Sequence, residues 1–407
     1  MNTNGTRSNS AASGDHSPEV SNDFSLVLGG PLYQLLRRAH LSNDVLSLQR
    51  RRVITLALIA WLPLFLLATL SGRLFDASIA VPFLFDVEVH VKFLVVLPLL
   101  VVAELVVHQR MRTVVSTFGE RHLVAPADLG RLDAAIASAY RLRNSVAAEV
   151  LLIALVYIVG ISIVWRQYLV LDAATWYATP AAGGSELTFA GQWYGYVSLP
   201  LFQFLLCRWY FRIGIWARLL WQISRIPLAL VPTHPDRVGG LGFLSYTVYA
   251  FVPLVLAHGT LLAGTLASQI FYAGARLTDF RLEILMLGIF VVCLVVGPLL
   301  VFAPQLSLAK RTGLREYGTL AHDYVRAFDE KWLRRRAVEE PLLGSADIQS
   351  LADLGNSFEI VRRMRIVPVS KEAVFQLGVT TLMPLTPLLL TLMPLEELLK
   401  KLLGVIF

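Results

Sequence analysis

Charged residues are scarce in this chain of 407 residues. Asp, Glu, Lys and Arg together make up 16% of it, whereas about 25% is usual for a soluble globular protein. Hydrophobic residues make up 56%, and the mean hydropathy is +0.61. A chain with so little charge cannot cover a soluble protein with a polar surface, so the composition predicts an integral membrane protein.

Cysteine is nearly absent, because only Cys207 and Cys293 occur, both inside apolar stretches. This excludes a disulfide framework and a thiolate metal site, and we interpret both cysteines as small packing residues. The sequence also lacks a phosphate-binding loop or another energy-coupling motif. We therefore expect no cofactor and no metal, and the absence of these motifs favours a protein that is not an enzyme.

Six apolar runs are long enough to cross a hydrocarbon core of roughly 30 Å as helices. They cover residues 53–70, 91–107, 146–165, 194–214, 244–272 and 284–304. A seventh candidate, 374–395, is interrupted by Pro384, Pro387 and Pro394. Alternating strand patterns are lacking. The predicted fold class is all-α: a polytopic helical membrane protein with six or seven transmembrane helices and short cytosolic helices.

The pattern divides the chain into four parts. Residues 1–23 are small and polar, which predicts a disordered cytosolic tail. Residues 24–304 form the membrane domain, which begins with an interfacial or cytosolic helix over 31–52. It contains connecting helices, of which an amphipathic one over 129–142 can run straight into the third span. Residues 305–372 predict a cytosolic helical region. Residues 373–407 either span the membrane or form a re-entrant or interfacial segment, because prolines remove hydrogen bonds that lipid cannot replace.

Most of the 36 Lys and Arg residues fall in segments that face the cytosol if the N-terminus is cytosolic. The positive-inside rule therefore predicts this orientation. The net charge of +7 is explained by basic inner loops that face anionic headgroups. We expect the lipid bilayer as a partner and no nucleic acid.

Ionisable residues within the predicted spans are costly, and each is a candidate functional residue. Glu104 and Arg208 lie at similar distances from the outer ends of the second and fourth spans, so we expect them at the same depth and paired. They form a structural ion pair, line an ion pathway, or snorkel unpaired. His258, in the fifth span, either shuttles protons or hydrogen-bonds a neighbouring helix while neutral. Glu104, Arg208 and His258 are the pathway candidates.

Two further arginines follow Arg208. The spacing of Arg212 and Arg218 does not match a voltage sensor, and the tryptophans and tyrosine around them are typical of an interfacial aromatic belt. These arginines are therefore predicted to anchor at headgroups. The aromatic residues are Trp209, Tyr210, Trp216 and Trp221.

Small residues recur every fourth position in the fifth span, at Gly259, Ala263 and Ala267. This spacing predicts close helix packing. The packing is either within one subunit or between subunits of a possible homo-oligomer.

The segment VPTHPDRVGGLGFL, residues 231–244, is unusually polar for a connector between two spans. One interpretation is a tight turn capped by Asp236. The other is an anion or headgroup site built on glycine N–H groups. His234 and Asp236 are too few for a metal site, and a nucleophile elbow is absent. The candidate residues of this loop are His234, Asp236, Arg237, Gly239, Gly240 and Gly242.

Three stretches resemble segments of multi-pass bacterial membrane proteins that have no known activity. They are HPDRVGGLGFL, SADIQSLADLGNSFEIVRRMR and the proline-rich C-terminus. The resemblance covers the second half of the chain, and it implies a bacterial inner-membrane protein without implying an activity.

The charges within the spans favour a channel or an ion-coupled transport pathway for a small ion or solute. The first alternative is a non-transporting scaffold or sensor that binds a partner through its basic cytosolic helices. The second is a membrane-embedded enzyme that modifies lipid, with His234 and Asp236 at the interface.

Overall fold

The computed structural model describes residues 24–31, 34, 49–165, 174–181, 184–334 and 346–392. The predicted tail, most of the predicted helix over 31–52 and the last fifteen residues therefore lie outside the described part. The described chain is mostly helical. Its one sheet is an antiparallel pair of short strands, β1 (Ala178–Ala181) and β2 (Gly184–Leu187).

Ten principal helices follow one another along the described residues. They are α1 (Gln49–Leu70), α2 (Val87–Glu120), α3 (Leu129–Arg143), α4 (Val146–Leu155), α5 (Leu199–Ile223), α6 (Val252–Ala273), α7 (Arg281–Val296), α8 (Ala303–Phe328), α9 (Ala346–Arg362) and α10 (Lys371–Leu382). Four π-helical segments interrupt or extend them: Val91–Val96 inside α2, Val156–Trp165 after α4, Tyr194–Ser198 before α5 and Asp329–Arg334 after α8. A π-helical turn widens the helix locally.

Five helical stretches are long and apolar enough to cross a membrane, or up to six if the bent pair α3 and α4 counts as one. The stretches are Gln49–Leu70, Val87–Glu120, Val252–Ala273, Leu277–Arg334 and Lys371–Thr391. The predicted fourth span is not among them. Its helix, α5, contains three arginines and two glutamines, which lower its hydropathy, and most of its apolar side chains are buried by other helices rather than exposed.

Helices α2 and α5 form the centre of the bundle. α2 packs against α1 and α6, while α5 packs against α3, α4 and the turn that joins α7 to α8. The indole N–H of Trp209 on α5 donates to the carbonyl of Leu100 on α2 at 2.9 Å, which fixes the two central helices to each other. Trp209 and Trp216 are both buried, so α5 contributes large side chains to the core although it contains three arginines.

Two connections differ from the sequence prediction. α3 was expected to run straight into the third span, but the chain bends by 47° between them, because the hydroxyl of Ser145 accepts a hydrogen bond from the N–H of Ala148 and starts a new helix. The sixth span was expected to end near Pro304. Instead helical structure continues from Leu277 to Arg334, through a 3₁₀ turn over Gly297–Phe302. Pro304 then lies in the first turn of α8, where it costs no internal hydrogen bond.

The C-terminal helix α10 lies along α6. The backbone of Gly259 meets the carbonyl of Thr381, at a distance that leaves no room for a Cβ atom. On the same helix, Gly264 packs against Val91 of α2. The close packing predicted from the small residues is confirmed, and it occurs within one chain. After α10 the chain continues as a 3₁₀ helix over Met383–Leu392, which accommodates Pro384 and Pro387.

Gly259→Ala should destabilise the protein. The added methyl must displace the Thr381 carbonyl, and overpacking of this kind costs about 1–3 kcal/mol. Gly288→Ala in α7 is the matched control, because a Cβ there meets nothing within 4 Å. Thermal unfolding in detergent should give a lower midpoint for Gly259→Ala alone. Equal midpoints for the two variants would mean that α6 and α10 do not pack this closely.

Candidate functional site

Glu104, on α2, is buried among three guanidinium groups. Its Oε1 accepts a hydrogen bond from Nη1 of Arg212 at 2.7 Å and lies 3.9 Å from Nη1 of Arg208. Its Oε2 accepts a hydrogen bond from Nη1 of Arg52 on α1. Each of the four side chains is at most 5% exposed. A carboxylate in this position compensates for burying several positive charges at once.

The ion cluster extends to a fourth helix. Nη2 of Arg208 lies 3.4 Å from Oε1 of Glu149 on α4. The predicted pair of Glu104 and Arg208 is therefore present. Glu104 nevertheless lies closer to Arg212, and Arg208 lies closer to Glu149. We call Arg52, Glu104, Glu149, Arg208 and Arg212 the charge cluster. It joins α1, α2, α4 and α5, and its three arginines and two glutamates leave a net charge of +1.

Arg52 is only partly satisfied by protein groups. Its Nη1 donates to Glu104, whereas its Nε and Nη2 are buried and have no hydrogen-bond partner among the residues that the structure describes. A buried N–H group without an acceptor costs about 1–3 kcal/mol, and more when it is charged. Water or a small anion beside Arg52 would remove this cost. The cluster therefore has the capacity to take up a further polar group.

The segment before α1 covers one side of the cluster. Phe24, Leu26 and Val27 are almost fully buried although the segment is not helical. The carbonyl of Ser25 accepts a hydrogen bond from Nη1 of Arg143 at 2.5 Å. The backbone of Gly30 lies against the carboxylate of Glu149. The chain immediately after the predicted tail is thus part of the packed structure.

The sequence prediction missed Arg52 and Glu149 as members of this cluster. Arg52 follows two other arginines and was counted as a cytosolic charge, but it is 3% exposed. Glu149 lies four residues into the predicted third span, where an unexplained acidic residue was the available signal. The membrane depth was compared only for Glu104 and Arg208. The same comparison for every acidic residue in the predicted spans would have identified Glu149.

The predicted anchoring of Arg212 at headgroups is wrong. Arg212 is 4% exposed, it contacts Glu104, and its guanidinium lies 5.1 Å from the ring of Trp209. Trp209 and Trp216 are buried and do not form an interfacial belt, whereas Trp221 is half exposed. Arg212 is one helical turn from Arg208, so both extend toward the same acceptors. Arg218, in contrast, is exposed, as a headgroup anchor would be.

His258 is not a member of the charge cluster. Its Nε2 lies 2.8 Å from the hydroxyl of Tyr210, and its Nδ1 lies 2.7 Å from the carbonyl of Leu254. Because a carbonyl can only accept, Nδ1 donates to Leu254, while Nε2 is hydrogen-bonded to the Tyr210 hydroxyl. Tyr210 is two residues from Arg208, on a different side of α5. His258 on α6 is therefore hydrogen-bonded to Tyr210 on α5, the contact with a neighbouring helix that the second of the two alternatives requires.

Asp236 organises the loop over residues 231–244. Its Oδ1 accepts hydrogen bonds from the N–H groups of Val238 and Gly240 at 2.8 and 3.2 Å, and its Oδ2 accepts from Gly242 at 2.8 Å. Gly239 and Gly240 have φ angles of 66° and 98°, which glycine adopts without strain. The N–H groups that were candidates for an external anion thus donate to a carboxylate of the chain, in a tight turn.

The remaining loop candidates also make internal contacts. Nδ1 of His234 lies 2.9 Å from Oδ1 of Asp236. The carbonyl of Arg237 accepts a hydrogen bond from the N–H of Arg365 at 2.7 Å, and Nη2 of Arg365 donates to the carbonyl of Asp236. The loop is therefore docked on the segment after α9. Among the described residues, no group of three or more His, Cys, Asp or Glu side chains is arranged to hold a metal.

Comparison with models of known protein families, with curated proteins and with solved structures finds no match for this chain. Its function is therefore argued from its own residues.

Glu104→Gln should destabilise the protein strongly. It removes the charge that compensates Arg52 and Arg212, and leaving buried charges without a counterion costs about 3–5 kcal/mol. Glu359→Gln is the control, because Glu359 forms a surface pair with Arg362 and such pairs contribute little. Chemical unfolding in detergent measures both variants. A Glu104→Gln protein as stable as the control would show that the cluster is hydrated enough to do without the carboxylate.

Asp236 should contribute stability that depends on pH. Burial alone would raise its pKa, but the N–H donors of Val238, Gly242 and Gly240, with His234 nearby, hold the pKa below its ordinary value of 3.8. A lowered folded-state pKa gives a contribution that is complete above the unfolded-state pKa and is lost as the pH falls below it. The stability advantage over Asp236→Asn, measured from pH 7 to pH 3, should therefore decrease only below about pH 4. A constant difference would contradict this role.

Proposed function

We propose that this protein forms a channel or an ion-coupled transport pathway for a small ion or solute, with the charge cluster as its gate. The observation that carries the proposal is the incomplete satisfaction of Arg52 within a buried cluster of net positive charge. A cluster that serves only to lock helices together is most stable when every N–H group has an acceptor. Two buried N–H groups of Arg52 that lack an acceptor among the described residues favour a site that exchanges partners.

The arrangement of the cluster also supports a gate. Glu104 contacts arginines from two helices, and Arg208 lies between two carboxylates on two others. Moving one arginine from one carboxylate to the other would exchange ion pairs without leaving a charge uncompensated. Such an exchange lets helices α1, α4 and α5 shift relative to α2 at a lower cost than breaking a single buried pair.

The proposed setting is the inner membrane of a bacterium, with the N-terminus in the cytosol. The apolar helices support a membrane location, and the distribution of Lys and Arg supports this orientation. The loop around Asp236 and helices α8 and α9 then lie on the cytosolic side, and the β1–β2 hairpin lies on the outer side.

Flux through the full-length protein in liposomes tests the proposal. Potassium, chloride and a neutral solute, glycerol, are measured separately by ion-sensitive dyes and by liposome swelling. We expect at least one flux above that of empty liposomes. Glu149→Gln and Arg208→Met should change it by about tenfold or more, because an altered cluster charge shifts the gating equilibrium. The control is Arg362→Gln, on the exposed end of α9.

All variants are first checked for elution as a single folded species. Absence of flux for every probe, or equal flux in the cluster variants and the control, would reject the gate.

A scaffold or sensor is the second candidate, and one observation favours it. Helices α8 and α9 pack mainly on each other, and α8 leaves Leu320 and Val325 about half exposed. An exposed apolar surface on a helical hairpin suits a protein partner. The flux experiment separates the two candidates, because a scaffold passes none of the probes whatever the state of the charge cluster.

A further inference from the structure

A second polar site lies at the other end of α2, away from the cytosolic loop. A cavity of about 420 Å³ opens there between the start of α2, the end of α6 and the turn before β1. It is lined by the carboxylates of Asp86 and Glu88, by Tyr177, Tyr194 and Tyr272, and by Gln269 among others. We call it the acidic cavity. Its volume is within the range of about 300–1,000 Å³ found for small-molecule sites.

The carboxylates of the acidic cavity are held in fixed positions. Asp86 is 7% exposed, and it accepts hydrogen bonds from the indole N–H of Trp176 at 2.9 Å and from the N–H of Val89 at 3.1 Å. Glu88 accepts a hydrogen bond from Nζ of Lys92 at 2.9 Å. Asp86, Glu88 and Lys92 together carry one net negative charge, opposite in sign to that of the charge cluster.

Two π-helical turns meet at this site. One is Val91–Val96 in α2, which carries Lys92, and the other is Tyr194–Ser198, which precedes α5. The hydroxyl of Tyr194 accepts a hydrogen bond from Nζ of Lys92 at 3.3 Å. A π-helical turn is rare in proteins and frequently lies at a functional site. Here two π-helical turns face each other across the hydrogen bond between Lys92 and Tyr194. This arrangement favours a ligand-binding site.

The tyrosines give the acidic cavity an aromatic wall. Burial, together with the nearby carboxylate of Asp86, raises the pKa of Tyr177 to about 12, so its phenol stays neutral. The faces of aromatic rings attract cations, by about 0.5–2 kcal/mol for each favourable contact. Burial also raises the pKa of Asp86, which means that a cation beside it would stabilise its charged form.

We propose that the acidic cavity binds a small organic cation, with the ammonium group next to Asp86 and Glu88 and its carbon chain against the tyrosines. A bare metal ion fits less well, because Asp86 already accepts hydrogen bonds on both oxygens and Glu88 accepts one from Lys92. An organic cation needs no complete set of oxygen ligands and gains from the aromatic wall. The inference does not depend on the proposed function, since a transporter and a sensor would bind the same ligand.

Calorimetric titration of the full-length protein in a maltoside detergent tests this inference without a membrane or a gradient. The probes are ethanolamine, choline and putrescine, with lactate as an anion and calcium chloride as a metal. We expect at least one of the three cations to bind with a Kd of about 1 mM or lower. Lactate and calcium should bind at least tenfold more weakly or not at all.

Two variants locate the binding. Glu88→Gln removes one charge with little change of shape, and Thr265→Leu fills the cavity from α6. Each should weaken cation binding about tenfold or more. Thr260→Leu is matched to Thr265→Leu, because both threonines donate to the carbonyl four residues earlier in the same helix, but Thr260 does not line the cavity. It should bind as the unmodified protein does.

Failure of all three cations to bind would overturn the inference. So would calcium or lactate binding as tightly as the best cation, or equal loss in Thr260→Leu and Thr265→Leu. Unfolding midpoints of the variants show that each compared protein is folded. If flux is observed but no cation binds, only the proposal of a cation site in the acidic cavity is rejected. If a cation binds but no flux is observed, only the proposed gate is rejected.

Discussion

The carboxylate of Glu104 is the group on which the arrangement of the central helices depends. Arg52 and Arg212 approach it from α1 and α5, and Arg208 connects the same carboxylate to Glu149 on α4. Buried guanidinium groups are stable only beside a compensating charge. The positions of three helices relative to α2 are therefore linked to one residue.

The sequence predicted the helical class and most of the apolar helices, because the hydrophobic runs are long and uninterrupted. The Glu104–Arg208 pair was also predicted, from equal distances to the ends of two spans. The remaining cluster was not, because that argument assumes that a helix reaches water where its apolar run ends. α2 continues to Glu120, roughly 24 Å beyond Glu104 at 1.5 Å per residue. Arg52 and Arg212 are thus covered by protein where the hydropathy predicted an aqueous boundary.

The loop over residues 231–244 was ambiguous in the sequence for a physical reason. A turn that directs several N–H groups inward needs an acceptor, and the pattern alone does not tell whether the acceptor is a ligand or a side chain. Asp236 provides it, and Arg365 then joins the turn to the segment after α9. The acidic cavity could not be predicted for a different reason. Its residues come from four separated parts of the chain and form no local motif.

The two polar sites on α2 have opposite net charge, and this restricts any shared role. A cation held in the acidic cavity would meet net positive charge at the cluster, roughly 18 Å further along the helix from Lys92 to Glu104. Coulomb repulsion in a poorly screened interior opposes its passage there. If both proposals hold, the bound cation therefore differs from the species that passes the gate.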